Sequence, residues 1–239
     1  MIKRKLFLLL ILSSACAIGQ ELSGSELLDK AIQYHDPNNK WPSFHGELSI
    51  TMEAPDKSDR ISDIVMNLPE EYFKLKASRD NTTTVQILNR GECTLSLNGS
   101  QDISEEEASK YRLSCDRAKT MRDYYTYLYG LPMKLKDPGT IIDPNVTSKI
   151  FKGKKYLVLK VTYKEAVGGD TWYFYFDPTS YAMEVYQFYH DESKNDGEYI
   201  LLSGEENISG IKMPKIRAWY YNKGDTYLGT DKLTRTKAL

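Results

Sequence analysis

Alternation with a period of two residues recurs along most of this chain, and it constrains the fold more than any single motif does. In residues 44–53, FHGELSITME, Phe44, Gly46, Leu48, Ile50 and Met52 fall on one face. His45, Glu47, Ser49, Thr51 and Glu53 fall on the other. A strand with one apolar and one polar face packs one side on a core and wets the other, which is the pattern of an antiparallel sheet. YFKLKA repeats it, with Phe73, Leu75 and Ala77 alternating with Lys74 and Lys76. So does ECTLSLNG, with Cys93, Leu95 and Leu97 alternating with Thr94 and Ser96. Asn89-Arg90-Gly91 and Asn98-Gly99 supply turns, so the N-terminal half reads as a meander with one dry face. Strands resume at KYLVLKVTY, whose Leu157, Leu159, Val161 and Tyr163 share a face, and continue through WYFYF, YAMEVYQFY, EYILLSG and IRAWYYN. The 18 tyrosines suit such strands.

Two helical segments interrupt the alternation. Ser23 and Glu26 stand at capping-box spacing, and Leu27, Leu28, Ala31 and Ile32 then repeat at helical intervals up to Asp36-Pro37. Ser104 and Glu107 make a second capping box. From there the pattern is helical to Tyr129, with a break near Ser114 to Asp116. Ala108, Tyr111, Cys115, Ala118, Tyr125 and Leu128 form its stripe, and Gly130 and Pro132 stop it. LPMKLKDPGTIIDPNVTS, with three prolines and no clean period, reads as a long ordered loop. No linker, composition shift or repeat marks a boundary. The fold class is therefore α+β: one sheet built from both halves, with the helices on one face.

The segment Trp172-Tyr173-Phe174-Tyr175-Phe176 leaves its faces open until its partner strand is considered. Asp177-Pro178-Thr179-Ser180 suits a type I turn. A tight hairpin there pairs Phe176 with Tyr181, Phe174 with Met183 and Trp172 with Val185. Tyr175 then opposes Ala182, and Tyr173 opposes Glu184. An unpaired carboxylate is costly to bury. The face with Glu184 is therefore the outer one, and its two tyrosines keep their hydroxyls hydrated. The inner face is then Trp172, Phe174, Phe176, Tyr181, Met183 and Val185.

The N-terminus reads as an export signal. Lys3, Arg4 and Lys5 precede the apolar run Leu6 to Leu12, and small residues follow. Residues 1–19 are expected to be a signal peptide and residues 20–239 one domain, cleavage after Ala17 being the alternative. Removing residues 1–19 takes away three positive charges and no negative ones, which moves the formal net charge from −1 to −4. Ser14-Ala15-Cys16 partly matches a lipoprotein processing site, with Ser13 where leucine is usual. An outer-membrane lipoprotein anchored at Cys16 is thus the alternative to a periplasmic or secreted protein. Cys93 and Cys115 then remain, and outside the cytoplasm such a pair is most simply a disulfide.

The absence of a basic block argues against a nucleic-acid partner. His35, His45 and His190 show no metal-ligand spacing, there is no G-x-S-x-G, and no carboxylate pair stands out as acid and base. No catalytic residue, metal site or cofactor is assigned, and the expectation is a protein that is not an enzyme.

The order of elements, and two segments in particular, resemble a known family. YYTYLYGLPMKLKDPGT (124–140) and WYFYFDPTSYAMEVYQFYH (172–190) are similar to an uncharacterised family of secreted bacterial proteins close to the LolA-like superfamily of periplasmic lipoprotein carriers. The resemblance covers essentially the whole mature chain. It implies a strongly curved, unclosed antiparallel half-barrel, with helices and a loop across its concave side like a lid. In the carriers that cavity takes up acyl chains. No binding residue is carried over by alignment. On this reading Leu159, Trp172, Phe174, Phe176 and Met183 line an apolar cavity closed by Tyr125, Leu128, Leu131 and Met133. The competing reading places the same residues in a filled core. The expected partner is a lipid or other apolar small molecule, with a lipoprotein or outer-membrane component as a further partner, and the protein is expected to be a monomer. A carbohydrate-binding strip of Tyr173, Tyr175, Trp219 and Tyr221 is the alternative function. It requires those rings to share one exposed surface.

Overall fold

The computed structural model describes residues 22–239 apart from Ala166. The expected signal peptide and Cys16 lie outside the described residues. Helix α1 (Gly24–His35) is followed by five strands: β1 (His45–Ala54), β2 (Lys57–Asn67), β3 (Tyr72–Arg79), β4 (Thr82–Asn89) and β5 (Glu92–Leu97). Helices α2 (Glu105–Lys110) and α3 (Cys115–Gly130) come next. Seven strands complete the chain: β6 (Thr140–Phe151), β7 (Lys154–Tyr163), β8 (Thr171–Phe176), β9 (Met183–Tyr189), β10 (Glu198–Ile208), β11 (Ile211–Tyr221) and β12 (Tyr227–Ala238). Both expected capping boxes form, at Ser23–Glu26 and Ser104–Glu107. The expected break in the second helical segment falls at 111–114, where Ser114 caps α3.

The twelve strands make one sheet in the order β5-β4-β3-β2-β1-β12-β11-β10-β9-β8-β7-β6. First and last strands pair antiparallel at its centre, while β5 and β6 are its unjoined edges. This order explains where the helices lie. After β5 the chain must travel from one edge to the other, and α2 and α3 make that crossing over the concave face. Ala118, Met121, Tyr125 and Leu128 of α3 and Leu27, Leu28 and Ala31 of α1 join the inward residues of the strands in one core. Bulges at Ser49/Ile50, Trp219/Tyr220 and Tyr175/Phe176 supply extra twist to a sheet that must curve around these helices.

Cys93 and Cys115 are joined, with Cα atoms 5.8 Å apart, and staple edge strand β5 to the first turn of α3. At the other end, α1 rests directly on β6. A Cβ on Gly24 would lie 2.0 Å from the Asp143 carbonyl oxygen, so only glycine allows this approach.

Three sequence expectations need correction. The proline-rich loop is shorter than expected, because Thr140 already begins β6. Pro144 is tolerated there because β6 is an edge strand and its register jumps between Ile142 and Val146. The hairpin after Phe176 is also wider than expected. Asp177 and Ala182 close it, so Phe176 opposes Met183, and Glu184 is the extra residue of a bulge. That extra residue turns Val185 to the outer face, opposite Tyr175, and brings Tyr186 and Phe188 inward. The inner assignment of Trp172, Phe174, Phe176 and Met183 stands. The third correction concerns the outer tyrosines. Tyr175 is buried in a small second cluster with Tyr156, Val158 and Val185, beneath Phe151. Its hydroxyl donates to Gln187 Oε1 at 2.6 Å rather than to water.

Candidate functional site

A cavity of about 590 Å³ opens between α3 and the concave face of the sheet. Its roof is one stripe of α3. Arg117, Thr120, Met121, Tyr124, Tyr127 and Leu128 recur at helical spacing and all face it. Met52, Trp172, Phe188, Trp219 and Leu228 give an apolar floor. Leu228 reaches it because it is the extra residue of the bulge between β11 and β12. Trp172 stacks on Phe188 with ring centroids 4.8 Å apart and meets Tyr127 edge-on at 5.7 Å, so one aromatic wall joins roof to floor.

The charged groups of the cavity are sorted by position. Arg60 stands on β2 opposite Met52, and Met52 stands opposite Asp231 on β12. The next cross-strand partner of Asp231 is Arg217. These residues occupy inward positions in a single row across the sheet. Asp231 accepts a hydrogen bond from Trp219 Nε1 at 3.1 Å. Burial raises its pKa above the usual carboxylate value, against the nearby guanidiniums of Arg60 and Arg217. Asp170, His190 and Glu198 lie on the side formed by β8, β9 and β10. His190 Nδ1 is 2.7 Å from Asp170 Oδ1, and this carboxylate raises the imidazole pKa. Glu198 is raised by burial.

Arg217 is the largest fully buried side chain. Its guanidinium lies 3.9 Å from the centre of the Tyr129 ring and donates to the Leu128 and Pro214 carbonyl oxygens at 3.3 and 2.9 Å. It therefore fastens the last turn of α3 to β11, behind the cavity.

Of the nine residues expected to line a cavity, Trp172 and Leu128 do so. Leu159, Phe174, Phe176, Met183, Tyr125, Leu131 and Met133 lie together in the packed core. The space lies beside the expected position, one step around α3 and toward β10–β12. Sequence reading missed Arg60, Arg117, Asp231 and Arg217. The readable signal was a charged residue at an inward position of an otherwise apolar strand, as with Arg60 in line with Ser62, Ile64 and Met66. The four rings of the alternative carbohydrate strip do not share a surface. Tyr173 and Tyr175 point to the convex side, Tyr175 is covered, and Trp219 lines the concave cavity.

The sequence matches the model of a family of unknown function, DUF6503, over residues 3–235, and the chain belongs to that family. Among curated proteins none matches it. The fold recurs in solved structures of low sequence identity. A candidate outer membrane lipoprotein-sorting protein domain from Vibrio parahaemolyticus aligns with a TM-score of 0.52 at 11% identity, over 90% of this chain and 92% of that one. A LolA superfamily protein from Nitrosomonas europaea gives 0.51 at 11% identity, over 91% and 94%. A DUF1329 family protein from Desulfovibrio piger gives 0.50 at 9% identity, over 90% and 92%. The architecture is thus the LolA-like one, a curved and unclosed antiparallel sheet with helices across its concave side.

Proposed function

We propose that this protein is a non-catalytic binding protein of the cell envelope that holds a lipid or other apolar ligand beneath α3. The observation that carries this reading is the cavity itself. Its volume of about 590 Å³ falls within the ~300–1,000 Å³ typical of small-molecule sites. Its walls are largely methionine, leucine and aromatic side chains, with a few charged groups converging on them. Methionines and aromatic rings repack readily around irregular apolar ligands. Support comes from the fold, since one solved structure that shares it carries a lipoprotein-sorting description. Export fits the basic and apolar N-terminal segment, with residues 1–19 removed and residues 20–239 acting as one domain. The disulfide also suits an oxidising compartment.

Gently purified mature protein should carry a co-purifying lipid or acyl compound, visible as a mass increment in native mass spectrometry and recovered by organic extraction. Protein that is empty, and whose tryptophan fluorescence stays unchanged on titration with lipids, would overturn the reading.

A further inference from the structure

Among the described residues, none forms an ion pair or a side-chain hydrogen bond with the arginines at one end of the cavity. Among the described residues, the arginine ion pairs are Arg90–Glu70, Arg122–Asp123 and Arg235–Asp63. Arg60, Arg79, Arg112 and Arg117 take part in none of them. The Nε atoms of Arg60 and Arg79 are buried with no hydrogen-bond partner. Arg60 and Arg117 both line the cavity. Arg60 also lines an adjoining hollow of about 400 Å³ with Arg79, Lys110 and Arg112, where Asp80 is the one acidic residue. The four arginines come from β2, β3 and the α2–α3 segment, which the fold brings to one corner. The corner carries an excess of positive charge, and burial and the neighbouring Arg112 and Arg60 charges lower the Arg117 pKa from its ordinary value.

Arg60, Arg79 and Arg117 are partly buried and Arg112 is exposed, so a bound anion can reach the cluster and ease the repulsion among these like charges. The formal net charge of the chain is −1, so the cluster is a local feature and not a general basic character. Of the acidic groups of the cavity, only Asp231 lies near enough to Arg60 to feel its charge, and it stands between Arg60 and Arg217. Asp170 and Glu198 belong to the β8–β10 side, and Asp231 is two strands from Arg60, across Met52, and is engaged by Trp219. A ligand with an acidic end is therefore drawn to the arginine corner and repelled from the opposite side, while its apolar part lies on Met52, Trp172 and Phe188.

We propose that Arg60 and Arg117, backed by Arg79 and Arg112, form an anion subsite at one end of the cavity, and that the ligand is an acidic amphiphile whose carboxylate or phosphate end they bind. This rests on the cavity being the ligand site. Arg–carboxylate and Arg–phosphate pairs are matched in planar, two-donor geometry, which lysine does not offer. Arg112 occupies its place at φ 54°, a conformation that glycine adopts without strain. Its side chain can thus be removed without backbone cost.

The test uses the mature, disulfide-intact protein and follows tryptophan fluorescence. Four probes are compared below their micellar concentrations: hexadecanoate, hexadecyl phosphate, hexadecan-1-ol and inorganic phosphate. The two acidic chains should bind at least about tenfold more tightly than the alcohol. Arg60→Gln with Arg117→Gln should remove that preference, so that the acids bind no more tightly than the alcohol does to the same variant. Arg112→Gly, which should fold at least as well as the parent, should weaken the acids several-fold and the alcohol not at all. An alcohol that binds as tightly as the acids overturns the anion subsite and leaves the apolar-ligand reading standing. If no chain binds, the apolar-ligand reading itself falls. Inorganic phosphate binding as tightly as hexadecyl phosphate identifies a free-anion site and overturns the amphiphile.

Discussion

The backbone N–H of Met183 donates to His35 Nε2 at 3.0 Å, joining the last turn of α1 to the bulge in β9. On the other side of the ring, His35 Nδ1 lies 2.8 Å from the Lys212 carbonyl oxygen. The ring is therefore neutral, with its proton on Nδ1 toward Lys212 and its lone pair on Nε2 toward Met183. It is buried, and burial holds its pKa below the ordinary 6.5. The unfolded chain takes up a proton near pH 6.5 that the folded chain refuses. Stability from His35 is thus full above that pH and declines as pH falls below it, by up to about 1.4 kcal/mol per unit. His190 acts in the opposite sense, since Asp170 raises its pKa and its contribution fades as pH rises past 6.5. Its side chain is 63% exposed, so that contribution is small. In urea unfolding, the stability of the parent relative to His35→Phe should increase as pH rises from 5 to about 6.5 and then level off, whatever slope His190, Asp231 and Glu198 give to both proteins. The variant should also lose about 2–4 kcal/mol at pH 8, because the Met183 donor and the Lys212 acceptor are left unpaired.

Arg217→Met should be among the most destabilising single changes. The methionine fills most of the volume but leaves the Leu128 and Pro214 carbonyls without their donors and removes the charge over Tyr129. The expected loss is about 2–4 kcal/mol. Hydrogen exchange should speed up first in residues 125–131, the end of α3 that the guanidinium holds. Uniform acceleration across the sheet would contradict this role.

The disulfide separates two questions, whether the bond forms and what it holds. Both Cys93 and Cys115 should resist alkylation in denatured, unreduced protein and become reactive after reduction. The cysteines are 22 residues apart, and a loop of that size contributes about 3 kcal/mol by restricting the unfolded chain. Cys93→Ser with Cys115→Ser should lower the urea midpoint correspondingly, while β5 and the start of α3 gain mobility.

Gly24→Ala tests the contact between α1 and β6. An alanine methyl has no room beside the Asp143 carbonyl, which belongs to the backbone of a strand. Helix or strand must shift, at about 1–3 kcal/mol. The same substitution at the exposed Gly169 meets no atom within 4 Å and no positive φ. It should leave stability close to the parent, which makes it a control for the steric part.

What the sequence disclosed depended on whether the informative neighbours were local. Capping boxes, the helix break at Ser114 and the inward faces of β1, β3 and β7 rest on contacts within a few residues, and all of them were readable. The face of Trp172 and Phe174 was readable because Glu184 lies just across the hairpin. Val185 was misplaced because a bulge of one residue reverses every face beyond it and leaves no mark in the pattern. The cavity was displaced for a different reason. Leu159, Phe174 and Met183 are as apolar as true lining residues, and only the path of α3 decides which strands it covers. Arg60 and Arg117 are 57 positions apart in the chain, and nothing local to either announces that they meet.

The cavity also makes a prediction about which tryptophan reports a ligand. Of the three tryptophans, Trp41 is buried against Phe44, whereas Trp172 and Trp219 line the cavity. A fluorescence response to hexadecanoate should survive Trp41→Phe and disappear in Trp172→Phe with Trp219→Phe. Thr120 offers the complementary change, since it faces the cavity from an exposed position on α3. Thr120→Phe adds bulk to the space without disturbing the core beneath the helix. It should leave the unfolding free energy within about 0.5 kcal/mol of the parent and weaken hexadecanoate binding at least about tenfold. Binding that persists unchanged in Thr120→Phe, or a response that follows Trp41, would place the ligand somewhere other than under α3.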